Sequence, residues 1–249
     1  MGICVMARAS GSIMIEPGKQ LPQEFVLSMS DGDKSQAATI HYLLFTPRDY
    51  KTDGQPWPLL LFLHGLGECG NNELERVKVH GPPKLVETDS DFPFVIISPQ
   101  CPPQPGGMKD VPKAWKAEHL IQLVDHITTN MHIDGTRVYV TGLSMGGYGT
   151  WRLVAGYPER FAAALPICGG GEPSEWAASL RRVPIWAFHG AHDAVVPLSE
   201  SEKMVGAVRR AGGQVRLTVY PEVEHDSWTQ TYDNDEVYRW LLSHRGPVR

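Results

Sequence analysis

Apolar residues in this chain gather in short continuous runs, and between the runs lie longer stretches whose apolar positions recur at helical spacing. The runs at residues 59–63, 94–97, 138–140, 162–167, 185–188 and 215–220 are rich in Leu, Ile, Val and other apolar residues, with polar interruptions at Arg216 and Thr218 in the last. Uninterrupted runs of this length suit strands covered on both faces. Residues 113–131 place Leu120, Ile121, Val124 and Ile127 on one helical face. Residues 145–156, 199–211 and 233–242 read as helices on the same grounds.

Ahead of this alternation, residues 24–29 and 37–45 are rich in β-branched and large apolar side chains, with the turn-prone Ser30-Asp31-Gly32-Asp33 between them. They predict an antiparallel hairpin. Strand and helix then alternate to the end, which predicts an α/β fold: a mostly parallel central sheet with helices on both faces and the hairpin at its N-terminal edge. Residues 1–23 are expected to form an N-terminal extension and residues 24–245 a single catalytic domain. The Pro- and Gly-rich stretches 99–112 and 169–173 read as loops rather than linkers.

Composition narrows the partners. The 249 residues are 42% hydrophobic and 20% charged, with a net charge of -5, so no basic footprint for nucleic acid or anionic lipid is present. The apolar runs are too short to cross a bilayer, so no membrane partner is expected. Residues 1–10 lack the charged and apolar segments of a secretory signal, an expectation that fits either a cytoplasmic protein or an excised domain of a secreted one. Of the four cysteines, Cys4, Cys69, Cys101 and Cys168, none forms a C-x-x-C pair, and free thiols are expected. A bridge between Cys69 and Cys101 stays open, because both follow the ends of predicted strands.

The chemistry concentrates at Gly142-Leu143-Ser144-Met145-Gly146, which sits between a predicted strand and a predicted helix. A serine hydroxyl becomes a nucleophile when a sharp turn holds it exposed beside a base, and glycines two residues to either side permit the close packing this requires. The N–H of Met145, at a helix N-terminus, is a candidate oxyanion donor. The second donor is expected from the loop after residues 59–63, where His64-Gly65-Leu66-Gly67 resembles a His-Gly oxyanion loop and offers Leu66 N–H.

An acid and then a base should follow the nucleophile in sequence. Asp193 lies in His189-Gly190-Ala191-His192-Asp193 directly after a predicted strand, and His225 lies in the loop after the last one. His244 falls in the polar tail. Glu222, Glu224 and Asp226 flank the base, and each is an alternative to Asp193 as its partner. His64 reads as a residue bracing its loop. His189 and His192 sit at a strand end with no third ligand, so no metal centre is expected, and acyl transfer needs no cofactor.

Taken together, His64-Gly65-Leu66-Gly67-Glu68, Ser98-Pro99-Gln100-Cys101-Pro102, Gly142-Leu143-Ser144-Met145-Gly146-Gly147 and His225-Asp226-Ser227-Trp228 resemble the esterase, phospholipase and polyhydroxybutyrate-depolymerase-like branch of the α/β hydrolases, near feruloyl and acetyl-xylan esterases. The resemblance spans about residues 25–242. It implies the α/β-hydrolase fold, Ser144, Asp193 and His225 as triad, and Leu66 and Met145 as oxyanion donors. Dienelactone hydrolases are similar in layout but use a cysteine nucleophile, and Ser144 argues against them. The short spacing after Ser144 leaves no room for a helical lid of the lipase kind.

The resulting expectation is a serine carboxylesterase acting on short-chain acyl or aromatic, feruloyl-like esters, either small molecules or polysaccharide-linked. Trp115, Trp176 and Trp228 lie in or beside segments expected over the site and are candidates for stacking on a ring or sugar. A serine peptidase of prolyl-oligopeptidase type and a non-catalytic binding protein on the same fold are the alternatives. Oligomeric state stays open.

Overall fold

The computed structural model describes residues 12–28 and 38–248. Eight strands form one sheet: β1 (Gln20–Val26), β2 (Thr39–Phe45), β3 (Trp57–Leu63), β4 (Val95–Pro99), β5 (Ile133–Leu143), β6 (Ala163–Ile167), β7 (Ile185–Gly190) and β8 (Val215–Tyr220). Their order is β1-β2-β4-β3-β5-β6-β7-β8. β1 and β2 pair antiparallel, as do β2 and β4, and every later pairing is parallel. This is the mixed sheet and N-terminal hairpin that the apolar runs predict. Met29, Ala37 and the turn between the first two strands lie outside the described residues.

Side chains along each central strand alternate between two cores, as the two-residue period of a strand demands. Leu59, Leu61 and Leu63 of β3 join Val95, Ile97, Val138 and Val140 on one face. Helices α2 (Ala117–Asn130), α3 (Met145–Gly156), α4 (Pro173–Leu180) and α5 (Leu198–Arg210) contribute Leu120, Trp151, Leu180 and Met204 to that core. Leu60 and Phe62 join Ile96, Tyr139, Leu165 and Trp186 on the other. There α6 (Trp228–Tyr232) and α7 (Asp235–Leu242) add Tyr232, Val237 and Leu241, and the one-turn helix α1 (Gly81–Leu85) lies alongside. Burial on both faces explains why the central strands carry no alternation in sequence.

Several boundaries differ from the sequence reading. β1 begins at Gln20, four residues earlier than the apolar pattern, and the Gln23 side chain bonds both Met14 O and Met14 N–H. The segment from 12 onward is therefore anchored to the sheet. β5 runs from Ile133, which pairs with Trp57, but its polar residues Asp134 to Arg137 carry no apolar signature and sit at a register break before the ladder with β3 resumes at Val138. α4 has no counterpart in the sequence reading; only Leu180 among its residues is buried, so its periodicity is faint. α1 hides behind two prolines at positions that a helix N-terminus tolerates.

Parallel strands β3 to β8 all end at one rim, and the candidate residues lie in the loops leaving that rim or in the first turns of the helices that follow them. At this edge of an open α/β sheet, ligand sites are built from loops whose positions the strands fix.

Candidate active site

β5 ends at Leu143 and α3 begins at Met145, which leaves Ser144 alone on the turn at φ +51°. A left-handed backbone is unfavourable for serine, so surrounding contacts must hold it. Ser144 N–H donates to Ile167 O at 3.0 Å, and the Cys168 thiol lies 3.3 Å away. A side chain at Gly146 would overlap the Leu63 and His64 carbonyls, and one at Gly147 would overlap Ile167 O. The turn is thus wedged between the loops after β3 and β6, and glycine is the residue that fits.

His225 Nε2 is 3.0 Å from Ser144 Oγ. Its Nδ1 lies 2.7 Å from Asp193 Oδ2, so Nδ1 carries the proton and donates it to the carboxylate, leaving Nε2 to accept from the serine. Asp193 Oδ1 accepts the N–H groups of Val195 and Val196 at 2.9 and 2.8 Å. The side chain is fully buried, and these bonds replace its lost hydration. The contact brings together residues 81 and 32 positions apart in sequence. Of the flanking acids, Asp226 instead accepts from Thr229 at the start of α6, and neither Glu222 nor Glu224 is bonded to His225.

Leu66 and Met145 are each the first residue of a helical turn, the 3-10 turn Leu66–Glu68 and α3. First-turn N–H groups have no intrahelical acceptor. Because Leu63 pairs with Gly142 across β3 and β5, the two turns leave adjacent strand ends. His64 braces the first of them: Nδ1–H donates to Gly65 O at 2.6 Å, and Nε2 accepts Cys101 N–H at 2.9 Å. Burial lowers its pKa to about 4, so the ring stays neutral. His244, by contrast, bonds Trp240 O at the end of α7, away from the triad.

The three tryptophans separate. Trp228 stands edge-on to the His225 ring at 5.2 Å, and its Nε1 is buried with no partner. Trp176, on α4, packs over Gly171 in the loop after β6, against Met204. Trp115 is only 4% exposed, packs edge-on to His64 at 4.9 Å and rests on Gly149. Beside it, Pro99, Cys101, Lys113, Lys116 and His119 line a cavity of about 280 Å³ that contains no triad residue.

Cys69, Cys101 and Cys168 are free and buried, whereas Cys4 lies outside the described residues. Sequence reasoning passed over Cys168, which sits at φ +40° with its thiol within 4.8 Å of the Asp193 and His225 donor atoms. Burial pushes its pKa up, which keeps it a neutral thiol. The signal available was Cys168-Gly169-Gly170-Gly171 at a strand end. His189, weighed only as a metal ligand, proves to be buried beside Asp193, with Nε2 3.3 Å from Oδ2.

A left-handed serine at a strand-to-helix turn, facing a histidine and a buried aspartate across the rim of a parallel sheet, is the arrangement of an α/β hydrolase. Residues 108–238 match the dienelactone hydrolase family model, and the chain belongs to that family. It is similar to a bifunctional acetylxylan esterase/xylanase of Neocallimastix patriciarum, with 28% identity over 86% of this chain and 30% of that protein. It is also similar to the crystal structure of a thermostable esterase, with TM-score 0.73 and 33% identity over 92% of this chain and 64% of that one. A ferulic acid esterase shares the fold, with TM-score 0.60 and 17% identity over 90% of this chain and 96% of that one. The chain therefore spans less than two thirds of the first two of these relatives, and their kind is carboxylic ester hydrolase.

The family match corrects the argument from Ser144 against dienelactone hydrolases. The matched residues run through the serine turn, the Asp193 loop and the His225 loop, so the shared frame includes all three candidate positions, with serine at the first.

Proposed function

We propose that this chain is a serine carboxylesterase that cleaves short-chain acyl or aromatic esters through an acyl-enzyme on Ser144. The observation that carries this reading is the continuous chain Ser144 Oγ, His225, Asp193, with bonds of 3.0 and 2.7 Å. As Oγ attacks the ester carbonyl, Nε2 takes its proton and the imidazolium that forms is stabilised by Asp193. The N–H groups of Leu66 and Met145 hold the oxyanion, and the α3 N-terminus favours its charge. His225 then protonates the leaving alcohol. Water, activated by the same histidine, releases the acid.

Trp228, edge-on to the base, is a candidate for the alcohol side. Trp176 lies over the loop behind the nucleophile and is a candidate for the acyl side. Aromatic or sugar-bearing esters suit such walls, and the acetylxylan esterase and ferulic acid esterase among the similar proteins favour the same substrate range.

The test pairs an aryl ester with its matching anilide, together with labelling by an organophosphonate. Ester turnover well above anilide turnover, with label on Ser144, supports the reading. Preferential anilide cleavage would make the chain a peptidase. A folded protein that neither turns over ester nor takes label would be a binding protein.

A further inference from the structure

The acyl-transfer cycle uses Asp193 Oδ2, and a second histidine that the cycle does not use stands against that same oxygen. Behind the carboxylate stands His189, the penultimate residue of β7, with no solvent exposure. Burying an imidazole among apolar side chains is unfavourable unless its nitrogens are matched. Here each nitrogen has a polar partner. Nε2 lies 2.9 Å from Val196 O and 3.3 Å from Asp193 Oδ2, while Nδ1 lies 2.8 Å from Ser201 Oγ at the start of α5.

The partners assign the tautomer. Both atoms facing Nε2 are acceptors, so the ring proton belongs there, and Nδ1 competes with Gly169 O for the single Ser201 hydroxyl proton. Ser201 Oγ also lies 3.0 Å from Gly169 O. Gly169 follows Cys168, whose thiol contacts Ser144 N–H. One buried line of polar contacts thus runs from the acid, through His189 and Ser201, to the segment on which the nucleophile turn rests. Gly190 completes it, because a side chain there would overlap the Val223 and Glu224 carbonyls next to His225.

We propose that His189 is a positioning residue: its Nε2–H, bonded to Val196 O and 3.3 Å from Asp193 Oδ2, holds the Asp193 turn in place and shares the carboxylate's charge, so that Oδ2 points at His225 with the right basicity. The inference rests on the esterase reading. Asp193 takes two hydrogen bonds on Oδ1, and its Oδ2 lies between two histidines, 2.7 Å from His225 Nδ1 and 3.3 Å from His189 Nε2. The titratable groups around this pair are His225 after β8, Cys168 after β6 and Tyr148 on α3.

Loss of the static N–H has two consequences. Asp193 gains freedom, which lowers kcat without touching substrate contacts. Its charge also concentrates on the oxygen facing His225, which stabilises the imidazolium and moves the acid limb of the rate profile to higher pH.

The experiment measures kcat, KM and the pH profile on p-nitrophenyl acetate for wild type, His189→Phe, His189→Gln and Ser201→Ala, with Ser144→Ala as reference. His189→Phe is expected to lower kcat by about tenfold or more at unchanged KM, with the acid limb displaced upward. His189→Gln, which keeps a donor at similar reach, should recover most of the loss. Ser201→Ala should move both readouts the same way by a smaller step.

A folded His189→Phe with wild-type kcat and acid limb overturns the proposal, and so does His189→Gln as impaired as His189→Phe. If His189→Phe does not fold, Ser201→Ala decides, and wild-type kcat and limb in that variant overturn it. Activity surviving in Ser144→Ala would instead defeat the esterase reading itself. Silent His189 and Ser201 variants beside an inactive Ser144→Ala defeat this inference alone.

Discussion

Asp193 reaches His225 across 32 residues and bonds it at 2.7 Å, although Glu222, Glu224 and Asp226 all lie within three residues of the same histidine. Burial decides the partner. Asp193 is held in the interior by two backbone N–H groups and offers a fixed oxygen, whereas Glu222, Glu224 and Asp226 are exposed. Asp193→Asn keeps the shape but presents an amide that favours the wrong histidine tautomer. A fall in kcat of about a thousandfold or more is expected, against little change for Glu222→Gln or Glu224→Gln. Steady-state kinetics on the four proteins checks it.

The serine turn tolerates no added atom on its inner side. Gly146→Ala places a methyl group against the Leu63 and His64 carbonyls, which are backbone and cannot rotate away. Destabilisation of about 3 kcal/mol or more is expected, with loss of activity in whatever folds. Gly156→Ala, at the far end of α3 with open space around it, serves as the control. Denaturant unfolding of both variants separates a local clash from a general intolerance of α3.

Stability should fall in acid through His64. Its folded pKa of about 4 lies below the ordinary histidine value of about 6.5, so the unfolded chain takes up the proton first. The contribution is complete above about pH 6.5 and is lost as pH falls toward about 4, by roughly 3 kcal/mol for the whole shift. Protonation would set a second N–H against Cys101 N–H, which is why the structure resists it. His64→Gln should flatten this part of the pH–stability curve. Curves that run parallel for the two proteins would assign the acid sensitivity elsewhere.

Two tryptophans should respond in opposite ways. Trp228→Ala is expected to raise KM about tenfold for aryl esters with little loss of stability, since its ring stands beside His225. Trp115→Ala should cost about 3 to 5 kcal/mol of stability, because the ring is buried behind His64 and against Gly149. Melting curves and KM values measured together distinguish wall from core.

The parts of this protein legible in the sequence are those whose physics is local. Continuous apolar runs announce doubly covered strands, and β3, β4 and β7 lie where the runs lie, whereas β8 lies on its run but at the sheet edge, with none of its residues buried. The serine turn is legible because a strand, two flanking glycines and a helix must coincide within fifteen residues. β5's polar first half and the weakly buried α4 carry no such pattern, so they were missed. Trp115 looked like a site residue because its loop leaves the correct rim. Only the tertiary contacts show that its ring packs against His64 and Gly149. His189 and Cys168 were invisible as site neighbours for a related reason: their roles depend on contacts to Asp193, Ser201 and Ser144 that no spacing encodes.

The most direct test of the central claim is hydrolysis of a p-nitrophenyl ester series, from acetate to palmitate, by wild type and Ser144→Ala. The geometry at His225 predicts turnover by wild type with a short-chain optimum, and none above background in the folded mutant. Full activity in Ser144→Ala, or no hydrolysis of any ester by wild type, would contradict it.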